Sequence, residues 1–148
     1  HGTGTVTRID GNLNAVKYIE ILKEELPKIS QIFAGQEWYL VHDRSTIHTA
    51  RIVKQFIDEN GINDMKHPPR SPDLNPIENV FAELKRRINM RIRAAGDNGR
   101  IRSKDQLFEW VKEAWIEIAQ TNFIRNIYRT FPLRFCDVTN RHGENSAY

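Results

Sequence analysis

Cysteine is almost absent: Cys136 stands alone among 148 residues, so no internal disulfide can staple the fold. That count favours a reducing, intracellular compartment. Long apolar runs are missing too. None approaches the roughly 20 residues that a membrane-spanning helix needs, so no membrane partner is expected. The chain also lacks a signal-peptide pattern, an acceptor sequon for N-glycosylation, an internal repeat and a low-complexity tract. It opens His1-Gly2-Thr3-Gly4 without an initiator methionine and reads as a fragment or processed chain.

What is present is a globular balance, 39% hydrophobic and 28% charged, sized for one domain with one core. Net charge is only +3, but its distribution is uneven. Between Lys85 and Lys104 stand eight bases (Lys85, Arg86, Arg87, Arg91, Arg93, Arg100, Arg102 and Lys104) against one acid, Asp97. Such a cluster is either the electrostatic footprint of a polyanion partner or a solvated helix face continued by a loop.

Hydrophobic periodicity divides the chain into alternating elements. Residues 5–10 alternate weakly and suit a strand or the tail of one. Asn14 is a good N-cap for a helix whose stripe is Ala15, Tyr18, Ile19, Leu22 and Leu26, stopped by Pro27. Trp38-Tyr39-Leu40-Val41 suits a strand buried on both faces, ending at His42-Asp43. A helix from Ser45 or Thr46 to Asn60, halted by Gly61, leads to a weaker strand over Ile62 to Lys66. After a proline-stiffened loop, Asn75 caps a helix with Pro76 at its first position and Ile77, Val80, Phe81, Leu84 and Ile88 as its apolar face. Ser103 caps another, and a last amphipathic segment runs from Phe123 to Phe131 before Pro132 ends it. Trp38, Trp110 and Trp115 read as core. Strands alternating with helices imply an α/β domain with parallel pairing, and the sheet is small for so much helix.

Two carboxylates are candidates for chemistry. Asp43 lies at the C-terminal end of a strand, the edge where open α/β sheets bind ligands; the same position suits a cap for the following helix. Glu78 lies three residues after Asn75, where a capping box would fold its carboxylate back onto the Asn75 amide. Position alone leaves both readings open for each.

The combination is more specific. His42-Asp43-Arg44-Ser45-Thr46-Ile47-His48-Thr49-Ala50 resembles the second-aspartate motif of Tc/mariner transposases. The stretch from His67 to Asn79, with Ser71-Pro72-Asp73-Leu74-Asn75-Pro76-Ile77-Glu78 at its centre, closely resembles their third-acid motif. Thirty-four residues separate the two acids, the spacing of the Tc-like branch, and Glu83-Leu84-Lys85-Arg86-Arg87 continues the likeness. The similarity extends from about Thr5 to Tyr148.

This resemblance implies an RNase H-like α/β fold, truncated at its N-terminal strands and helix-rich in its C-terminal half. Residues 1–148 would then be part of a DDE catalytic domain, without its first strands or the N-terminal DNA-binding region. It implies metal-dependent phosphodiester hydrolysis and strand transfer in cut-and-paste DNA transposition. Asp43 and Glu78 would be catalytic metal ligands for Mg²⁺, or Mn²⁺, with Arg44, His48 and Asn75 adjacent to the site. Two metals about 3.5–4 Å apart can activate an attacking oxygen and stabilise a leaving one, and hard carboxylate oxygens suit Mg²⁺. The eight bases would contact phosphates of double-stranded DNA, both transposon ends and target. The setting would be the nucleus, or the cell interior for a bacterial source, and a homo-oligomer or pairing with the missing strands is expected.

Departures qualify the likeness. Arg44 stands where the family usually has Asn, and a cation there could pair with Asp43 in place of a metal. Thr46 replaces a common Pro. No residue of this chain matches the family's first aspartate, and Asp10 is not read as its substitute. The chain alone is therefore expected to lack nuclease activity. The alternative is a domesticated or decayed transposase-derived module that binds DNA or assembles without cutting. Ser45 has no base-and-orienter set for nucleophilic catalysis, and His42 with His48 lacks zinc-site spacing.

Overall fold

A computed structural model describes residues 4–65, 74–96 and 100–141. The chain divides into two compact units, Ile9–Arg70 and a second in which Gly2–Arg8 joins Ser71–Tyr148.

The first unit is a helix followed by a β-α-β arrangement. Helix α1 (Ala15–Ile32) starts where the Asn14 side chain accepts from the Lys17 amide, as the sequence led one to expect. It does not stop at Pro27. Pro27 lies on the exposed face, and the helix runs on through it with Leu22 and Leu26 buried on the other. Strand β1 (Leu40–Val41) is shorter than the four-residue run predicted for it. Nor is it buried on both faces, since Tyr39 and Val41 are exposed. Helix α2 (Arg51–Glu59) begins later than expected, because residues 46–49 form a turn in which the Thr49 amide and hydroxyl both bond the Ser45 carbonyl. It closes through Asn60 and Gly61, whose φ of 60° needs a glycine. Strand β2 (Asp64–Met65) pairs in parallel with β1, Leu40 opposite Asp64 and Val41 opposite Met65. Helices α1 and α2 pack together, with Val53 and Ile57 as the buried residues of α2. Residues 5–10 form no strand.

The second unit is three helices around one core. Helix α3 (Pro76–Ala94) carries Asn75 as N-cap and Pro76 at its first position. Helix α4 (Lys104–Ala119) is capped by Ser103, whose side chain accepts from Gln106. Helix α5 (Phe123–Asn140) continues eight residues beyond the Pro132 at which it was predicted to end. As with Pro27, the ring is exposed and the helix tolerates it. Val80, Trp115, Ile118 and Ile127 form the core, with Val6, Ile77, Leu84, Phe123 and Ile124 packed against it. Trp115 is buried as read from the sequence, while Trp38 and Trp110 are only partly so.

Charge reinforces the α3–α4 contact. Arg87 bonds Glu117 at 3.0 Å, and Arg91 bonds Glu113 at 2.6 Å and Glu117 at 2.5 Å. Glu83 accepts from both Arg86 and Arg87, and those bonds, Arg86 foremost, hold its carboxyl down at about 2. A depressed carboxyl stabilises the fold above its unfolded value and loses that contribution as pH falls through the folded one. Acid should therefore weaken the second unit between about pH 4.5 and about pH 2. The expected observation is a fall in the urea midpoint from pH 5 to pH 3 that shrinks in Glu83→Gln. An identical pH dependence in that variant would assign the acid sensitivity elsewhere.

Candidate active site

Strand β1 runs directly into His42 and Asp43. Asp43 does not cap α2, whose N-cap is Ala50 without any side-chain bond. Instead its Oδ1 accepts from the Ser45 amide at 3.0 Å and from His48 Nδ1 at 2.7 Å. An ionised carboxylate can only accept, so Nδ1 of His48 carries the proton. The Ser45 amide foremost, with help from His48, holds the Asp43 carboxyl below its ordinary value against the opposing effect of burial. Neither of these bonds uses Oδ2, and the side chain is 68% exposed. Asp43 is thus an ionised, tethered carboxylate with an open face.

The tether is itself supported. The His48 ring lies 4.3 Å from that of Tyr18 and stacks on His42 at 5.0 Å with the planes 2° apart. Tyr18 Oη is 3.0 Å from His42 Nδ1, and His42 Nε2 is 3.3 Å from Asp64 Oδ1. The Asp64 carboxylate beside Nε2 favours the proton on that nitrogen, which leaves Nδ1 to accept from the tyrosine hydroxyl. Burial, then the charges of Asp64 and Asp43, pushes Tyr18 up to about 12, and burial holds His42 below its ordinary value. Sequence reading placed Tyr18 in an apolar stripe and passed over Asp64. The signal available was local to Asp43: one histidine just before it and another five residues after.

Glu78 lies in the first turn of α3 and is exposed. The capping-box bond from the Asn75 amide to its carboxylate is not formed. Asn75 caps the helix through its own side chain, accepting from Ile77 at 3.4 Å. Among the described residues the Glu78 carboxylate has no hydrogen-bond or ion-pair partner. Much of the string that singled it out, residues 66–73, lies outside the described residues. Arg44 is exposed and, among the described residues, makes no ion pair with Asp43, whose partners are Ser45 and His48.

The basic run is divided in its use. Arg86, Arg87 and Arg91 are engaged by Glu83, Glu113 and Glu117. Lys85, Arg93, Arg100, Arg102 and Lys104 have no side-chain partner among the described residues, and all but Lys85 and Arg93 are on or just before the start of α4.

The fold resembles solved transposase catalytic domains. Over 93% of this chain it matches the crystal structure of the catalytic domain of Mos1 mariner transposase with a TM-score of 0.71 and 21% identity, covering 66% of that chain. It matches the Mos1 transposase paired-end complex with left transposon end at 0.73 and 21% identity, over 92% of this chain and 38% of that one. The architecture is therefore RNase H-like. In sequence, the chain is 28% identical over 145 residues to the Tcb1 transposase of Caenorhabditis briggsae, 98% of this chain and 50% of that protein. It is 25% identical over 140 residues to the Tc3 transposase of Caenorhabditis elegans, 95% and 40% respectively. The chain spans half the length, or less, of these curated relatives.

Residues 1–102 match the DDE superfamily endonuclease family, and the chain belongs to it. Membership implies a divalent cation, and each candidate carboxylate taken by itself has the chemistry of a hard-cation ligand: Asp43 is ionised with an oxygen to spare, and the Glu78 carboxylate is exposed and unpartnered among the described residues. No helix among the described residues is long and apolar enough to cross a membrane.

Proposed function

We propose that this chain is part of a cut-and-paste DNA transposase and supplies Asp43 and Glu78 as metal ligands for phosphodiester hydrolysis and strand transfer. The observation that carries this reading is the state of the two acids. Each had an alternative use as a helix cap, and neither is used that way. Mg²⁺ is the proposed ion, with Mn²⁺ as its substitute; when bound, such ions polarise the phosphodiester and lower the pKa of an attacking water. Asp43 contributes an anionic oxygen held in place by the Ser45 amide and His48. Glu78 contributes a second from the rigid first turn of α3, and Asn75 fixes that turn. Arg44, which makes no ion pair with Asp43, is free to meet a phosphate.

The proposed partners are transposon-end and target DNA, in the nucleus, with more than one copy assembled on paired ends. Support for that assembly comes from the likeness to the Mos1 paired-end complex. Lys85, Arg93, Arg100, Arg102 and Lys104 are the bases with charge to offer phosphates. Neutralising a base that meets a phosphate should weaken binding and reduce the slope of log K against log salt by about 1. Arg93→Gln with Arg102→Gln in the full-length protein should lower that slope by about 2. Arg87→Gln should leave it unchanged and lower stability instead.

Calorimetric titration of the full-length protein with Mn²⁺ tests the metal assignment, with Asp43→Asn and Glu78→Gln as controls. Binding that both variants abolish is the expected result. Absence of binding in the native protein, restored by Arg44→Asn, would instead identify a decayed transposase-derived module.

A further inference from the structure

We propose that Tyr18, on α1, is a positioning residue for Asp43: it clamps His48 and His42, and through His48 it holds the carboxylate in one orientation. The inference rests on the reading of Asp43 as a metal ligand and adds a residue 25 positions away in sequence.

The physical problem is rotational freedom. The terminal torsion of an aspartate is broad, and the Asp43 side chain is 68% exposed, so little packing restrains it. Two bonds on the same oxygen, from the Ser45 amide and His48 Nδ1, remove that freedom. The Ser45 amide is fixed by the turn that follows β1. The His48 bond is only as well oriented as its ring, which is 18% exposed.

Two rings hold it. Tyr18 lies against His48 with centroids 4.3 Å apart, and His42 stacks on it at 5.0 Å. A flip of the His42 ring would break its hydrogen bond to Tyr18 Oη, 3.0 Å from Nδ1, and take Nε2 away from the Asp64 carboxylate 3.3 Å off. Tyr18 therefore acts twice, once through its ring on His48 and once through its hydroxyl on His42. A residue serving only the apolar stripe of α1 would need neither the hydroxyl nor its aim, and leucine would do. Outer groups that orient a ligating carboxylate typically matter 10–100-fold for metal affinity.

The test uses Tyr18→Leu and Tyr18→Phe in the full-length protein, with two readouts. The first is ¹H–¹⁵N NMR of the imidazoles, which needs no metal. In the native protein His48 should appear as the Nδ1–H form with a slowly exchanging proton, and His42 as the Nε2–H form. Tyr18→Leu should lose the slow His48 proton. Tyr18→Phe should keep it while His42 becomes a mixture of tautomers. The second readout is Mn²⁺ affinity, expected to fall about tenfold in Tyr18→Leu, with Tyr18→Phe between it and the native protein.

Unchanged His48 signals and unchanged affinity in a Tyr18→Leu variant with a native backbone amide spectrum would overturn the proposal. Should that variant not fold, Tyr18→Phe decides: an unmixed His42 tautomer would overturn it. If the native protein binds no Mn²⁺ yet its His48 proton depends on Tyr18, the metal reading fails and the clamp stands.

Discussion

Glu78→Gln should abolish metal-dependent cleavage of transposon-end DNA by the full-length protein, by at least about a thousandfold, while leaving its stability within about 1 kcal/mol. The first number follows from the role proposed for the carboxylate. Metal stabilisation of developing charge is worth several kcal/mol, and each 1.36 kcal/mol is a factor of ten in rate. The amide of Gln keeps the shape and removes the charge. The second number follows from what Glu78 does not do. It is exposed, its carboxylate bonds nothing among the described residues, and the side chain that caps the helix is that of Asn75. Only its favourable place near the positive end of α3 is lost, about 0.3–1 kcal/mol. A thermal shift paired with a cleavage assay separates the possibilities. Cleavage within tenfold of native would remove Glu78 from the metal site. A stability loss above about 2 kcal/mol would make it a structural residue after all. Asp43→Asn should match the loss of cleavage and also weaken the His48 bond, which loses its anionic acceptor and which Glu78→Gln leaves in place.

The features legible in the sequence were those decided within a few residues. Asn14, Asn75 and Ser103 cap the helices they were expected to cap, because an N-cap needs only its own side chain and the next turn. Gly61 ends α2 through a positive φ, also a local matter. The two candidate acids were singled out by motif, while their hydrogen bonding was not legible. Asn75 forms its half of a capping box and Glu78 does not return the other half, a rotamer choice that spacing does not decide. The prolines misled for a different reason: both Pro27 and Pro132 lie on exposed faces, and the packing of the opposite face carries each helix through the lost bond.

Long-range partners were hidden outright. Tyr18 meets His42 across 24 positions, and at helical spacing its ring looks like any stripe residue. The basic run concealed a pairing that spacing could have revealed. Arg87 and Arg91 are four apart on α3, as Glu113 and Glu117 are on α4, so the two pairs can face each other once the helices lie side by side. Part of the apparent DNA footprint is therefore internal glue, and the proposed interface narrows to five bases.

Ile118→Ala should destabilise the second unit by about 3–4 kcal/mol, whereas Ile116→Ala should cost well under about 1 kcal/mol. The two positions lie on the same helix and differ in surroundings: Ile118 is 0% exposed, Ile116 56%. Ile118 shares its core with Val80 of α3, Trp115 of α4 and Ile127 of α5, so its truncation opens a cavity where all three helices meet. Against a typical total of about 5–15 kcal/mol, that loss brings the unit close to unfolding. The functional consequence differs in kind from that of Glu78→Gln. Ile77 packs on this same cluster and is the immediate neighbour of Glu78, so the core anchors the turn that presents the carboxylate. If the proposed function holds, the full-length protein carrying Ile118→Ala should therefore cut DNA at low temperature and lose activity on warming, in step with its unfolding transition. Glu78→Gln should be inactive at every temperature at which it is folded. Parallel loss of activity in both variants at low temperature, with Ile118→Ala still folded, would mean that the position of α3 is set by something other than this core.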